Sequence, residues 1–139
     1  MSFELLSDIT DLKMKVSGKT LQDLFRAALK SVVFYLKPEV LQLKKGEGKL
    51  NQKIKIQTAD INSLLAEFLS AVIAQTDIHS AVFTQVSFKK FGENFLEGEI
   101  TGVKVSDFAK DIKAVSYTEV DIKRSPTSGR YETILVFDI

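Results

Sequence analysis

Tyr131-Glu132-Thr133-Ile134-Leu135-Val136-Phe137-Asp138-Ile139 alternates strictly, with Tyr131, Thr133, Leu135, Phe137 and Ile139 on one face and Ile134, Val136 and Asp138 on the other. Such a run reads as a strand buried on both faces along most of its length, carrying an aspartate to its end. A buried carboxylate there costs several kcal/mol of desolvation, on the order of the usual penalty for buried charge, unless water, a lysine or a metal ion compensates it. The α-carboxylate of Ile139 adds further hard oxygen beside Asp138.

The rest of the chain supplies a core for that strand. Phe3 to Leu6 reads as a first strand, and Ser7-Asp8-Ile9-Thr10-Asp11 as a turn rich in carboxylates. Leu12, Met14 and Val16 then alternate with Lys13, Lys15 and Ser17, the signature of a half-buried strand. Thr20 followed by Asp23 predicts a helix start. Leu21, Leu24, Phe25, Ala28, Leu29, Val32, Val33 and Leu36 form one apolar stripe that Pro38 ends. Lys44 to Lys49 reads as an exposed, mobile loop. Leu50 to Gln57 predicts a strand, and Asp60 caps a second helix with Ile61, Leu64, Leu65, Phe68, Leu69, Val72 and Ile73 as its stripe.

The remainder reads as strands. Val82 to Phe88 and Phe95 to Val105 flank a turn at Phe91-Gly92-Glu93-Asn94, with Gly98 and Gly102 marking bulges. Val105 to Lys110 is a short irregular or helical link. Ile112 to Ile122 and Tyr131 to Phe137 then read as a hairpin across Lys123 to Arg130. Strand, helix, strand, helix, then strands without a βαβ rhythm predicts a single α+β domain over 1–139, two amphipathic helices packed on a largely antiparallel sheet.

Composition narrows the chemistry. The 139 residues carry 19 Lys+Arg against 18 Asp+Glu, a net charge of +1, so no bulk field draws in nucleic acid or membrane, and any RNA contact must be local or indirect. Cysteine is absent and His79 is the only histidine, which excludes disulfides, thiolate metal sites, cysteine nucleophiles and multi-histidine zinc centres. His79 itself reads as a solvated or C-capping residue at a helix end. The opening residues lack a signal-peptide pattern and no run has the length of a membrane span, which makes the cytoplasm the expected location. No Gly-rich phosphate loop occurs, because Gly46-Glu47-Gly48 lacks both the third glycine and the strand-to-helix setting.

The carboxylates are the better clue. If the strands after Asp11 and before Asp138 pair, then Asp8, Asp11, Asp138 and the Ile139 end converge into an oxygen-rich site for Ca²⁺, Mg²⁺ or Mn²⁺. On residue types alone the commoner use of aspartate is favoured, with Asp8 and Asp11 as turn residues and Asp138 as a frayed end in solvent.

Several motifs carry a resemblance. Asp8-Ile9-Thr10-Asp11-Leu12, Val16-Ser17-Gly18-Lys19-Thr20-Leu21 and Leu24-Phe25-Arg26-Ala27-Ala28 resemble the opening of the archease family. Ile112-Lys113-Ala114-Val115-Ser116-Tyr117 and Leu135-Val136-Phe137-Asp138-Ile139 resemble its later motifs. The resemblance implies a small α+β protein that binds a divalent ion, Ca²⁺ foremost or else Mg²⁺ or Mn²⁺, through Asp11, Asp138 and the main-chain oxygens of Ile139. It also implies a chaperone-like cofactor, without catalysis of its own, of the GTP-dependent RNA ligase of tRNA splicing and RNA repair, promoting the ligase's guanylylation and turnover. The implied partner is the ligase protein, with no stable nucleic-acid binding and no membrane. Two family histidines are replaced, by Asp8 and Thr118, and Lys13 stands where the family has glycine. Asp8 keeps a metal-capable oxygen, whereas Thr118 loses the imidazole. Lys113 matches a family position and reads equally as a partner contact or a surface lysine. The competing functions are a small metal-dependent enzyme acting on phosphate esters and a divergent chaperone-like binding domain.

Overall fold

The computed structural model describes residues 1–42 and 50–139; the loop expected at Lys44 to Lys49 lies outside them. The first strand, β1 (Ser2–Ser7), turns through the Asp8 segment into β2 (Leu12–Gly18), whose Leu12, Met14, Val16 and Gly18 face inward while Lys13 and Lys15 face solvent. Helix α1 (Leu21–Leu36) starts as the sequence predicts: the Thr20 hydroxyl accepts the Asp23 N–H at 3.1 Å, meeting one of the orphan amides of the first turn. Ahead of Pro38 the Lys37 N–H closes on the Val33 carbonyl, and Pro38–Gln42 winds into a 3-10 turn.

Strand β3 (Leu50–Gln57) leads to α2 (Ile61–His79), where Asp60 Oδ1 accepts the Ser63 N–H at 2.7 Å. The helix stops because Ser80 takes the left-handed conformation, with φ 49°, and turns the chain straight into β4 (Ala81–Phe91). A turn closed by the Gly92 N–H on the Phe95 carbonyl returns it as β5 (Phe95–Lys104).

The bulges fall opposite the glycines rather than on them. Phe83 faces Gly102 while Gln85 faces Thr101, and Phe88 faces Gly98 while Lys90 faces Glu97, so the extra residues are Thr84 and Lys89 on β4. Glycine is required on β5 because the bulged strand comes close. A Cβ at Gly98 would collide with the Ser87 carbonyl oxygen, and one at Gly102 with that of Val82.

The expected arm from Ile112 to Ile122 is mostly not strand. Within it only β6 (Ala114–Val115) pairs with β8 (Tyr131–Asp138), near the end of β8, and β7 (Lys123–Arg124), from the expected turn, pairs with its start. Between them the chain leaves the sheet and crosses α2: the Tyr117 hydroxyl lies 2.9 Å from Ser70 Oγ, and the Ile122 N–H donates to Asn62 Oδ1 at 2.9 Å. The buried residues Ile112, Val115 and Val120 are spaced by three and five, which does not follow the two-residue period of a strand.

All pairings are antiparallel, as expected, but the strands divide into two sheets, β1-β2-β8-β6 with β7 also on β8, and β3-β5-β4. Helix α1 packs against β2 of the first and β4 of the second, and so joins them. Phe25 is the hub: its ring centroid lies 5.5 Å from Phe68 of α2 and 5.1 Å from Phe91 of β4.

Candidate functional site

In the β2–β8 ladder Leu12 lies opposite Phe137, and the pairs continue without a slip to Gly18 and Tyr131. Phe137 and Leu12 are completely buried, which fixes this register, since a one-residue slip would expose the whole inner face. Asp11 directly precedes this pair and Asp138 directly follows it. The two aspartates therefore stand at the same end of one antiparallel ladder although 127 positions separate them in sequence. On the other edge of β8, Ala114 lies opposite Asp138, and the Lys113 N–H donates to the Asp138 carbonyl at 2.8 Å. The end of β8 is thus held on both sides.

The two faces of β8 are not alike. Thr133, Leu135 and Phe137 are buried, but Ile134 is 45% exposed and Asp138 also faces solvent. The expectation of a strand buried on both faces is corrected, and with it the desolvation penalty: an exposed Asp138 is solvated by water and requires no counter-cation. Ile134 and Val136 belong to an outer surface, where single apolar residues are common. Asp11 and Ile139 are half-buried.

Asp8 turns to a different partner. Its Oδ2 lies 3.3 Å from Lys110 Nζ, which also sits 5.0 Å above the Tyr35 ring. Lys110 is carried there by a strap after β5, anchored by the Ala109 N–H on the Leu36 carbonyl and by Lys37 Nζ, 2.8 Å from Asp107 and 3.2 Å from Glu39. The Asp107 hydrogen bond, then that to Glu39, raises the Lys37 ammonium above its ordinary value; Lys37 in turn lowers Asp107. Glu39 is lowered first by its own backbone N–H and next by Lys37. Sequence reading missed the Lys110 contact, since no local pattern links residues so far apart.

Among the described residues, no three His, Cys, Asp or Glu side chains gather as a metal-binding cluster. A cation at this end would have the carboxylates of Asp11 and Asp138 and the Ile139 main chain to draw on. This all-oxygen set suits Ca²⁺, Mg²⁺ or Mn²⁺ in donor type and offers nothing to a soft metal. Thr118 lies in the segment crossing α2, its hydroxyl 3.4 Å from that of Ser116. Lys113 is exposed. His79 ends α2 with Nε2 3.0 Å from Gln75 Oε1, in the helix-end setting the sequence suggests. No helix among the described residues is long and apolar enough to cross a membrane.

The family model described as "Archease protein family (MTH1598/TM1083)" matches residues 3–139. The chain is 30% identical over 136 residues to the protein archease of Pyrococcus furiosus, covering 93% of this chain and 92% of that one. It is 26% identical to that of Methanosarcina barkeri, covering 99% and 95%. The solution structure of Methanobacterium thermoautotrophicum protein 1598 superposes with a TM-score of 0.77 at 17% identity, over 99% of this chain and 98% of that one. The crystal structure of an archease, possible chaperone, from Thermotoga maritima gives 0.63 at 14% identity, over 98% and 96%. With the family model spanning nearly the whole sequence and the fold repeated in solved structures, the chain belongs to the archease family.

Proposed function

We propose that this archease is a protein cofactor of a GTP-dependent RNA ligase, holding a divalent ion with Asp11, Asp138 and the main-chain oxygens of Ile139. The observation that carries the reading is the β2–β8 register, which brings the two family aspartates to one end of one ladder. An assisting role agrees with the description of the Thermotoga maritima protein as a possible chaperone. When bound, the ion supplies positive charge of the kind that stabilises phosphoryl transfer. The chain's own part is positional. The ladder on one side and the Lys113 N–H on the other fix the main chain at Asp138, and the exposed carboxylate faces outward, where a partner's active site can approach it. Lys110 pairs with Asp8, which leaves Asp11, Asp138 and the Ile139 main-chain oxygens to face the ion.

The test combines Ca²⁺ and Mn²⁺ calorimetry with a ligation assay using the ligase of the same organism. Wild type is expected to bind the ion and to raise guanylylation and turnover without ligating RNA alone. Asp11→Ala and Asp138→Ala are expected to lose both properties while keeping the fold by circular dichroism. Absence of stimulation by wild type, or full stimulation by both variants, refutes the proposal; ligation or phosphate-ester hydrolysis by the archease alone favours the enzyme reading.

A further inference from the structure

A groove of about 650 Å³ runs between α1 and the free edge of β4, lined among others by Arg26, Lys30, Thr84, Gln85, Ser87 and Thr101. Among the described residues, two cations and four neutral polar side chains line it, and no carboxylate does. Elsewhere the surface is mixed: the concavity on the outer face of the first sheet sets Lys13, Lys15 and Lys123 against Glu119, Asp121 and Glu132. In a chain with a net charge of +1, the groove is a local departure from neutrality.

Arg26 and Lys30 lie one helical turn apart, forming a row along α1 rather than a pair converging on one point. Arg26 is held in place, its guanidinium 5.1 Å above the Phe88 ring and 3.3 Å from Asp23 Oδ1, whereas Lys30 has no ion-pair partner among the described residues. The groove continues past Ser87 and Phe88 into a second one, of about 460 Å³, across the outer face of β3, β4 and β5. Lys53, Lys55 and Lys89 line this continuation, with Glu97 and Glu99 between them. Among the described residues, five cations thus lie along a track from α1 over the edge of β4, outnumbering the three carboxylates beside them: Asp23 on Arg26, Glu99 opposite Lys53 and Glu97 opposite Lys55.

An extended acidic peptide is the obvious rival occupant, since among the described residues β4 has an unpaired edge. The two bulges count against it. Extra residues at Thr84 and Lys89 break the hydrogen-bond spacing that an added strand would have to follow. Spaced cations beside hydroxyl and amide groups instead suit successive phosphates, which need charge and donors but no strand register.

We infer that this track binds the phosphodiester backbone of single-stranded RNA. The choice of RNA as the source of phosphate rests on the proposed ligase partnership; the track itself rests on the groove. Binding is local and salt-sensitive, in keeping with the near-neutral body.

The test is fluorescence anisotropy with a short fluorescein-labelled single-stranded oligouridylate, titrated at low and at near-physiological salt, on variants verified as folded by circular dichroism. Lys30→Glu, and separately the pair Lys53→Glu and Lys55→Glu, are expected to weaken binding about tenfold. Lys30→Gln is expected to lower the slope of log affinity against log salt by about 1. Lys13→Glu with Lys15→Glu, on the other sheet, should leave affinity unchanged. The inference is overturned if wild type does not bind at low salt, if Lys30→Glu binds like wild type, if the Lys13 and Lys15 pair weakens binding as much, or if an oligoglutamate peptide displaces the RNA. Asp11→Ala and Asp138→Ala should keep RNA affinity, so a failed ligase assay and a failed RNA assay point to different errors.

Discussion

Replacing Phe137 by alanine tests whether the inner face of β8 is what holds the two aspartates together. The side chain is completely buried, lies opposite Leu12 of β2 and Val115 of β6, and ranks among the largest in the core. Removing a buried phenyl ring costs about 3–5 kcal/mol through lost transfer energy and the cavity left behind. That is a large share of the roughly 5–15 kcal/mol that stabilises an ordinary domain. At about 2 kcal/mol per molar urea, a loss of about 4 kcal/mol lowers the unfolding midpoint by about 2 M, read by circular dichroism. Phe34→Ala, which removes a partly exposed ring tilted against Phe3 at 5.3 Å, should cost much less. Calcium calorimetry on the folded variants adds the functional readout. Phe137→Ala should weaken ion binding more than Phe25→Ala, because the aromatic partners of Phe25 stand on α2 and β4, whereas Phe137 is itself a rung of the β2–β8 ladder. If Phe137→Ala is too unstable to measure, Phe137→Leu, at about 1–2 kcal/mol, carries the same comparison. A midpoint shift no larger than that of Phe34→Ala, or equal ion affinities in the Phe137 and Phe25 variants, would refute the reasoning.

Two further outcomes follow from single contacts. Thr20→Ala removes the acceptor that caps α1 and should cost about 1 kcal/mol in urea unfolding, with Thr20→Asn near wild type. Lys37→Met should flatten both ends of the pH–stability profile, on the acid side chiefly through Asp107, since the backbone N–H that lowers Glu39 remains. Asp107 and Glu39 are lowered in the folded state, so their contribution is complete above the ordinary carboxylate value of about 4 and is lost as pH falls through the lowered values. Lys37 is raised, so its contribution is complete below about 10.4 and is lost as pH rises through the raised value. Thermal melts from acid to alkaline pH check both limbs.

What was legible in the sequence follows the range of the interactions involved. The two helices, their caps at Thr20 and Asp60, and the end of α1 before Pro38 are set within a few residues, and local pattern sufficed for them. The division into two sheets was not legible, because whether β3 pairs with β2 or with β5 depends on partners distant in sequence. Ile112 to Ile122 misled as a strand because its β-prone residues drape over α2, held by Tyr117 on Ser70 and by Asn62 on the Ile122 N–H. Asp138 misled in the opposite sense. Ile134 and Val136 suggested burial of its face, but apolar composition alone does not tell an outer sheet surface from a core. The carboxylate pattern raised Asp8, Asp11 and Asp138 together on the condition that their strands pair, and the family resemblance implied Asp11 and Asp138 among them. The pairing of β2 with β8 gives the nearness of those two a structural cause.

Lys113 separates what the backbone does at the candidate site from what a side chain does for a partner. Its N–H donates to the Asp138 carbonyl at 2.8 Å, while its side chain is exposed on the surface. Lys113→Ala keeps the first and removes the second. Stability should stay within about 0.5 kcal/mol and calcium affinity should not change, since the substitution is at the surface. If the side chain contacts the ligase, stimulation falls in this variant although stability and calcium affinity are kept. Lys113→Pro removes the N–H as well and drives the buried Ile112 toward extended backbone. A lost hydrogen bond of this kind costs about 1 kcal/mol, and the Asp138 end of β8, released on one side, should bind calcium more weakly than in the alanine variant. Urea unfolding, calorimetry and the ligation assay on the two variants read these effects separately. Should Lys113→Pro match wild type in both stability and calcium affinity, the backbone bond to Asp138 is not what orders that end, and the β2–β8 ladder alone must do so.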